Sequence, residues 1–243
     1  MARHRLYAAS LPAQPSVLEL DDDAVHHAQV LRLAVGDELC LFDGEGREAD
    51  ARITRVQRNG WSVAVQAPRV TAERSARLSL IVCIPKAAKL EMIVRMVTEL
   101  GVHAVYLAHS RRSVPKLSAD SPKLERLRRI VLEACAQSGQ VWAPRLFGPM
   151  TLEMAAERAP ASADKVAFWE QSCEPLSLQP AASVGPREVW AVVGPEGGIC
   201  ETEVNVLRRL GYAGVGLGAA ILRVETACVA ITTLLLDRMG ALR

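Results

Sequence analysis

The pattern of apolar and polar positions changes rhythm once along this chain, near residue 75. Before that point short apolar runs alternate with polar residues and turns. Val17-Leu18-Glu19-Leu20, Glu38 to Phe42, Ala49 to Val56 and Trp61 to Val65 read as strands, punctuated by Asp43-Gly44-Glu45-Gly46 and Asn59-Gly60. Asp21-Asp22-Asp23 opens a brief helix carrying Val25, Ala28 and Leu31, because carboxylates satisfy and complement the free N–H groups at a helix start. Short strands, tight turns and one helix predict a small β-barrel over residues 1–70. Ala67 to Arg77 is polar and reads as a linker.

From Leu78 strands alternate with helices. Leu78 to Ile84 is a buried strand, and Leu90, Ile93, Val94, Val97 and Leu100 follow on one helix face that ends at Gly101. Ala104 to Leu107, Lys165 to Trp169, Glu188 to Val193 and Ala213 to Gly216 predict further strands. Pro122 to Gln137, Glu201 to Leu210 and a last segment to Met239 predict helices. This alternation predicts an α/β domain over residues 75–243 with a mostly parallel sheet covered on both faces.

Composition narrows the class. Half of the 243 residues are hydrophobic and 23% are charged, which is globular rather than disordered. Lys+Arg 29 against Asp+Glu 27 excludes an RNA-coating basic tail and leaves room for a local patch. The six cysteines contain no C-x-x-C pair and the five histidines no metal-ligand spacing, so no metal is expected. Neither H-E-x-x-H nor G-x-S-x-G occurs. The opening MARHRLYAASLPA lacks the apolar run of a signal peptide, and no stretch reaches the ~18 apolar residues of a membrane span. A soluble, cytoplasmic chain with reduced thiols and no membrane partner is the expectation.

Two loops carry candidate chemistry. Val193-Gly194-Pro195-Glu196-Gly197-Gly198-Ile199 joins a strand to a helix, and its glycines leave backbone N–H groups bare of side chains. It is neither a Walker loop nor G-x-G-x-x-G, and Glu196, Glu201 and Glu203 would repel a polyphosphate at the helix start. The loop suits a ligand without phosphates, although a tight turn with no ligand explains it equally well. The second stretch runs from Leu217-Gly218 through Ile221, Leu222, Arg223 and Glu225 to Thr226, and offers an aliphatic wall with backbone groups, suited to an adenine ring. Taken alone, Arg223 and Glu225 read as a pair capping a helix.

Charge supplies the third feature. Between His109 and Arg129 there are seven basic residues, Arg111 and Arg112 among them, and two acidic ones. Such a run usually marks a solvated helix face, but Arg111 and Arg112 follow a strand, at the same sheet end as the two loops. In the first module Arg3, Arg5, His26, His27 and Arg32 form a limited basic set that could touch an RNA backbone.

Together, Val193-Gly-Pro-Glu-Gly-Gly198, Glu203-Val204, Leu217-Gly218 and Ile221-Leu222-Arg223-x-Glu225-Thr226-Ala227 resemble the signature of the ribosomal RNA small subunit methyltransferase E (RsmE) family, of the SPOUT class of knotted methyltransferases. His26-His27, Val30-Leu31-Arg32, Gly36-Asp37, Lys86 to Lys89, Thr98 to Val102, Arg112-Ser113-Val114, Glu133-Ala134 and Gln137-Ser138-Gly139 agree in the same order. The resemblance implies a PUA-like β-barrel for RNA, then an α/β domain tied in a trefoil knot that binds S-adenosylmethionine (SAM) as a homodimer. It further implies methylation of N3 of a uridine in small-subunit rRNA, position 1498 in the usual 16S numbering. Val193 to Ile199 with Leu217, Gly218, Ile221, Leu222, Arg223 and Thr226 would then hold SAM. Arg223 is the leading catalytic candidate, followed by Arg111 and Arg112; Arg3, Arg5, His27, Arg32, Arg111 and Arg112 would touch RNA. The chain departs from the family pattern at Ala219-Ala220, where Pro-Arg is common, and at Val224, where Thr is. Methylation of another RNA atom, such as a ribose 2′-hydroxyl, and a catalytically silent rRNA-binding assembly factor are the competing readings.

Overall fold

The short apolar segments of the first 70 residues pair as one sheet around a shared apolar core. In the computed structural model β1 (His4–Tyr7), β2 (Ser16–Glu19), β3 (Glu38–Phe42), β4 (Arg47–Gln57), β5 (Gly60–Val65) and β6 (Arg69–Val70) pair in the order β1-β3-β4-β5-β2, with β6 on β4. Only β1 and β3 run parallel; the other pairs are antiparallel. Helix α1 (Asp22–Val30) starts where the acidic run predicts, with the Asp21 carboxylate accepting from Ala24 N at 2.8 Å. A cap of this kind is worth about 1 kcal/mol. Leu6, Leu39, Leu41, Ile53 and Val63 fill the core beneath.

The structure describes residues 4–58, 60–113, 116–172, 174–177, 187–218 and 220–242, apart from the side chains of Ala87 and Ala88. Arg3, Asn59, Cys173 and Ala219 lie outside them. The chain forms two compact units, Met1–Glu73 with Leu132–Ala143, and Arg74–Val131 with Pro144–Arg243.

Two features of the first unit depart from the sequence expectation. The polar linker contains β6, whose residues pair Arg47↔Val70 and Glu48↔Arg69. Residues 132–143 also join this unit: Ala143 N donates to Gly44 O at 2.8 Å and the Trp142 indole to Thr71 O at 3.0 Å. Both depend on pairing across long sequence separations, which local periodicity does not register.

The second unit holds β7 (Ala76–Cys83), α2 (Ala87–Leu100), β8 (Ala104–His109), α3 (Pro122–Ser138, whose end belongs to the first unit), β9 (Arg145–Thr151), α4 (Leu152–Ala156), β10 (Asp164–Phe168), β11 (Arg187–Val193), α5 (Glu201–Arg209), β12 (Ala213–Val215) and α6 (Val224–Arg238). Its sheet runs β12-β10-β11-β7-β8-β9, and every neighbouring pair is parallel. The central strands are apolar and buried from Leu80 to Cys83 and from Val189 to Val193, as expected of a parallel sheet covered by helices. Strand β9 and helix α4 escaped the sequence reading. β9 is a half-buried edge strand interrupted by Gly148-Pro149, a pair that reads as a turn, and α4 is a single short turn and a half. No helix among the described residues is long and apolar enough to cross a membrane.

Candidate functional site

Strand order explains how two distant loops meet. Strand β10 lies between β11 and β12, and Phe168 at its carboxyl end is in register with both Val193 and Val215. The three strand ends therefore release their loops side by side, at the edge where open α/β sheets bind ligands. A cavity of about 460 Å³ opens there. Val193, Gly194, Pro195, Glu196, Gly197 and Gly198 line it from the first loop, and Leu217, Gly218, Ile221, Leu222 and Arg223 from the second. Ile199 does not: it is 2% exposed and packs in the core. Thr226 is exposed on the first turn of α6, outside the lining.

Phe168, Trp169, Glu170 and Lys89 complete the wall, and sequence reasoning assigned none of them a role there. The signal was partial. Lys165 to Trp169 was legible as a strand, but which strands flank it was not.

Missing side chains shape the cavity. Gly198 has φ +70°, and a Cβ there would meet the Glu170 carboxylate. A Cβ on Gly216 would collide with the Ser172 carbonyl oxygen, a backbone atom that has nowhere to go. These close approaches bring Glu170 to the first loop and Ser172 to the chain entering the second.

Electrostatics inside the site centre on Lys89. Its ammonium lies 3.3 Å from Glu196 Oε1 on the first loop and 3.2 Å from Glu225 Oε2 at the start of α6. Burial alone would raise the Glu196 carboxyl, but its own backbone N–H, that of Lys86 and the Lys89 ammonium hold it below the usual carboxylate range. Glu225 is held low by its own backbone N–H, against some burial, and by Lys89 and the charge of Arg223. The Lys89 ammonium is raised in turn, chiefly by Glu225. Glu225 thus faces Lys89, and Arg223, at the N-cap of α6, makes no capping hydrogen bond with its side chain. The helix-cap reading of that pair gives way to a clasp across three elements.

Helix α5 answers its own positive end. Glu203 Oε2 accepts from Cys200 N at 3.1 Å, as a capping box requires. A polyphosphate would find that end already occupied by a carboxylate. The lining fits an uncharged ring against aliphatic walls together with a cationic centre near Glu170 and Glu196.

The remaining candidates separate. The Arg112 guanidinium donates to Gly197 O at 2.5 Å and braces the first loop. Arg111 donates its backbone N–H to Glu203 Oε1 at 2.8 Å, and its side chain lines a different cavity. In the first unit Arg5 is paired with Glu48 at 2.7 Å and lies over the Phe42 ring. His27 is depressed below its ordinary value mainly by burial, against the pull of Glu133. Arg32 is exposed, with φ 57° just past the end of α1. The thiols of Cys40, Cys83, Cys135 and Cys228 are core groups; burial pushes that of Cys228 up to about 12.

Comparison with known proteins agrees with this arrangement. The family model for an RNA methyltransferase domain matches residues 72–236, and that for an RNA methyltransferase PUA domain matches residues 20–65. A relative from Mycobacterium bovis named ribosomal RNA small subunit methyltransferase E is 30% identical over 236 residues, covering 91% of this chain and 86% of that protein. A crystal structure of the protein of that name from Neisseria gonorrhoeae, bound to S-adenosyl methionine, superposes with a TM-score of 0.87 at 26% identity over 98% of both chains. A methyltransferase from Legionella pneumophila in complex with the bound cofactor SAM gives a TM-score of 0.89 at 26% identity, again over 98% of both chains. The first unit is PUA-like and the second is an α/β domain of the SPOUT type, as the resemblance implied. The family models and the relatives match nearly the whole chain, and this chain belongs to the ribosomal RNA small subunit methyltransferase E family.

Proposed function

We propose that this SAM-dependent rRNA methyltransferase transfers its methyl group to N3 of a uridine in small-subunit rRNA, position 1498 in the usual 16S numbering. The observation that supports this reading is the single cavity into which both glycine-bearing loops and the carboxyl end of β10 open. SAM supplies an electrophilic methyl on a sulfonium. Val193 to Gly198 with Leu217, Gly218, Ile221 and Leu222 would hold its adenosine by backbone groups and aliphatic walls, and Glu170 and Glu196 complement its positive charge.

The chain's own chemistry concerns the acceptor. Uridine N3 carries an imide proton, and its lone pair becomes available when that proton leaves. Arg223 lines the cavity, so its guanidinium can stabilise negative charge developing on O2 or O4. One such cation contributes about 3 kcal/mol to a transition state. Alignment of acceptor and donor supplies more, on the order of 7–11 kcal/mol at best. The target base must be unpaired or flipped, with exposed cations such as Arg32 gripping flanking RNA. Ile221, 86% exposed at the cavity rim, supports a homodimer in which a second copy covers it. An rRNA substrate implies a cytoplasmic enzyme.

Transfer of labelled methyl from SAM to unmodified small subunits, with the product nucleoside mapped by mass spectrometry, tests the assignment. 3-Methyluridine at one site is expected; 2′-O-methylation would select the competing chemistry. Arg223→Ala should lower turnover about 10²-fold, with SAM affinity changed much less. Normal turnover would remove Arg223 from the catalytic role.

A further inference from the structure

A second cavity, of about 560 Å³, opens next to the first and is accounted for by nothing above. Consecutive residues of the loop after β8 link them. Arg112 bonds Gly197 in the wall of the first, and Arg111 lines the second. Its floor is apolar, made by Val206 with Leu152, 4% exposed, and Leu207, 1% exposed. Two guanidinium groups line it, those of Arg111 and Arg209, and neither has a hydrogen bond or ion pair among the described residues. Two carboxylates also face it. Glu203 is engaged by the N–H groups of Cys200 and Arg111, and Glu153 sits in the first turn of α4. Glu203, whose carboxylate holds the Arg111 backbone N–H, and Arg209 are six residues apart on α5, about 9 Å along the helix axis.

We propose that this cavity is the subsite for the nucleotide adjacent to the methylated one, its phosphodiester held by Arg111 and Arg209 and its base laid on the Leu152–Val206–Leu207 floor. The proposal rests on the RNA-methyltransferase reading above. An RNA strand with its target base in the first cavity passes Arg112 and Arg111 with its next phosphate. Cations anchored by a helix on one side and a strand end on the other suit an extended single strand, and the apolar floor suits the face of an unstacked base. A solitary small anion would make no use of that floor.

The test is the salt dependence of binding between the full-length protein and a short single-stranded RNA spanning the target uridine. Each lost phosphate contact lowers the slope of log K against log salt by about 0.7 for a single strand. Arg209→Ala should show that decrease and a raised KM for rRNA, with SAM affinity unchanged; Arg209→Lys should restore the slope. Arg111→Ala keeps the backbone bond to Glu203 and should behave alike. Val206→Glu, which puts a negative charge on the floor, should weaken RNA binding without weakening SAM. A wild-type slope and KM in all three non-conservative variants overturns the subsite. Absence of methyl transfer by the wild-type protein would instead overturn the reading on which it rests.

Discussion

Arg5 and Arg223 are the same side chain in opposite circumstances. Arg5 belongs to the first unit, mostly buried, paired with Glu48 and stacked on Phe42, so its charge is consumed in holding the sheet together. Arg223 belongs to the second unit, at a strand–helix junction, with no capping bond and a cavity before it. The contrast extends to other arginines of the first sheet. Arg52 and Arg69 face carboxylates on neighbouring strands, and Arg55 reaches Glu19 across β5. At the carboxyl edge of the second sheet, chain reversals leave backbone groups and cations over for a ligand. A basic residue counts toward binding only after its partners in the fold are subtracted.

The comparison breaks most severely at Gly216. Gly216→Ala should drive the second loop off the Ser172 carbonyl and weaken SAM binding more than tenfold by calorimetry, while far-ultraviolet circular dichroism keeps both units folded. A variant that binds SAM normally would show that the loops need not approach so closely. Arg5→Ala should act on stability instead. It leaves Glu48, 19% exposed, with Arg69 and the Cys40 thiol, and should cost about 1–3 kcal/mol in denaturant unfolding with methyl transfer per folded molecule retained. Arg32→Ala should do the reverse, leaving the unfolding midpoint in place and weakening RNA binding.

Lys89→Met sharpens the electrostatic side with the smallest effect. Glu196 and Glu225 have depressed folded-state values, so their pairing stabilises above the ordinary carboxylate range, and the contribution disappears as pH falls through the folded values. The difference in Tm between wild type and Lys89→Met should therefore be full at neutral pH and close in acid. A difference that stays constant with pH would show that Lys89 acts through packing alone.

Much of this was legible in the residues. A run of apolar residues gave β3, helical spacing gave α2 and α5 nearly to their ends, and α6 was legible at its C-terminal end, because these patterns are local. The family motifs gave both loops, since Val193-Gly-Pro-Glu-Gly-Gly198 and Ile221-Leu222-Arg223 are contiguous stretches. β1 was not legible: four residues with one buried leucine show no period. Nor were the roles of Lys89 and Glu170, each of which lies far along the chain from the loops it meets.

The sequence by itself determined the α/β class of the second unit, the strand-rich first unit and the residues of the two loops, since period, turn chemistry and short motifs are properties of neighbours along the chain. Only the tertiary structure decided that β10 stands between β11 and β12, that Lys89 clasps both loops and that Arg5 is spent on Glu48. Those facts depend on which surfaces meet when apolar faces are buried together, and such meetings carry no signature in any single segment.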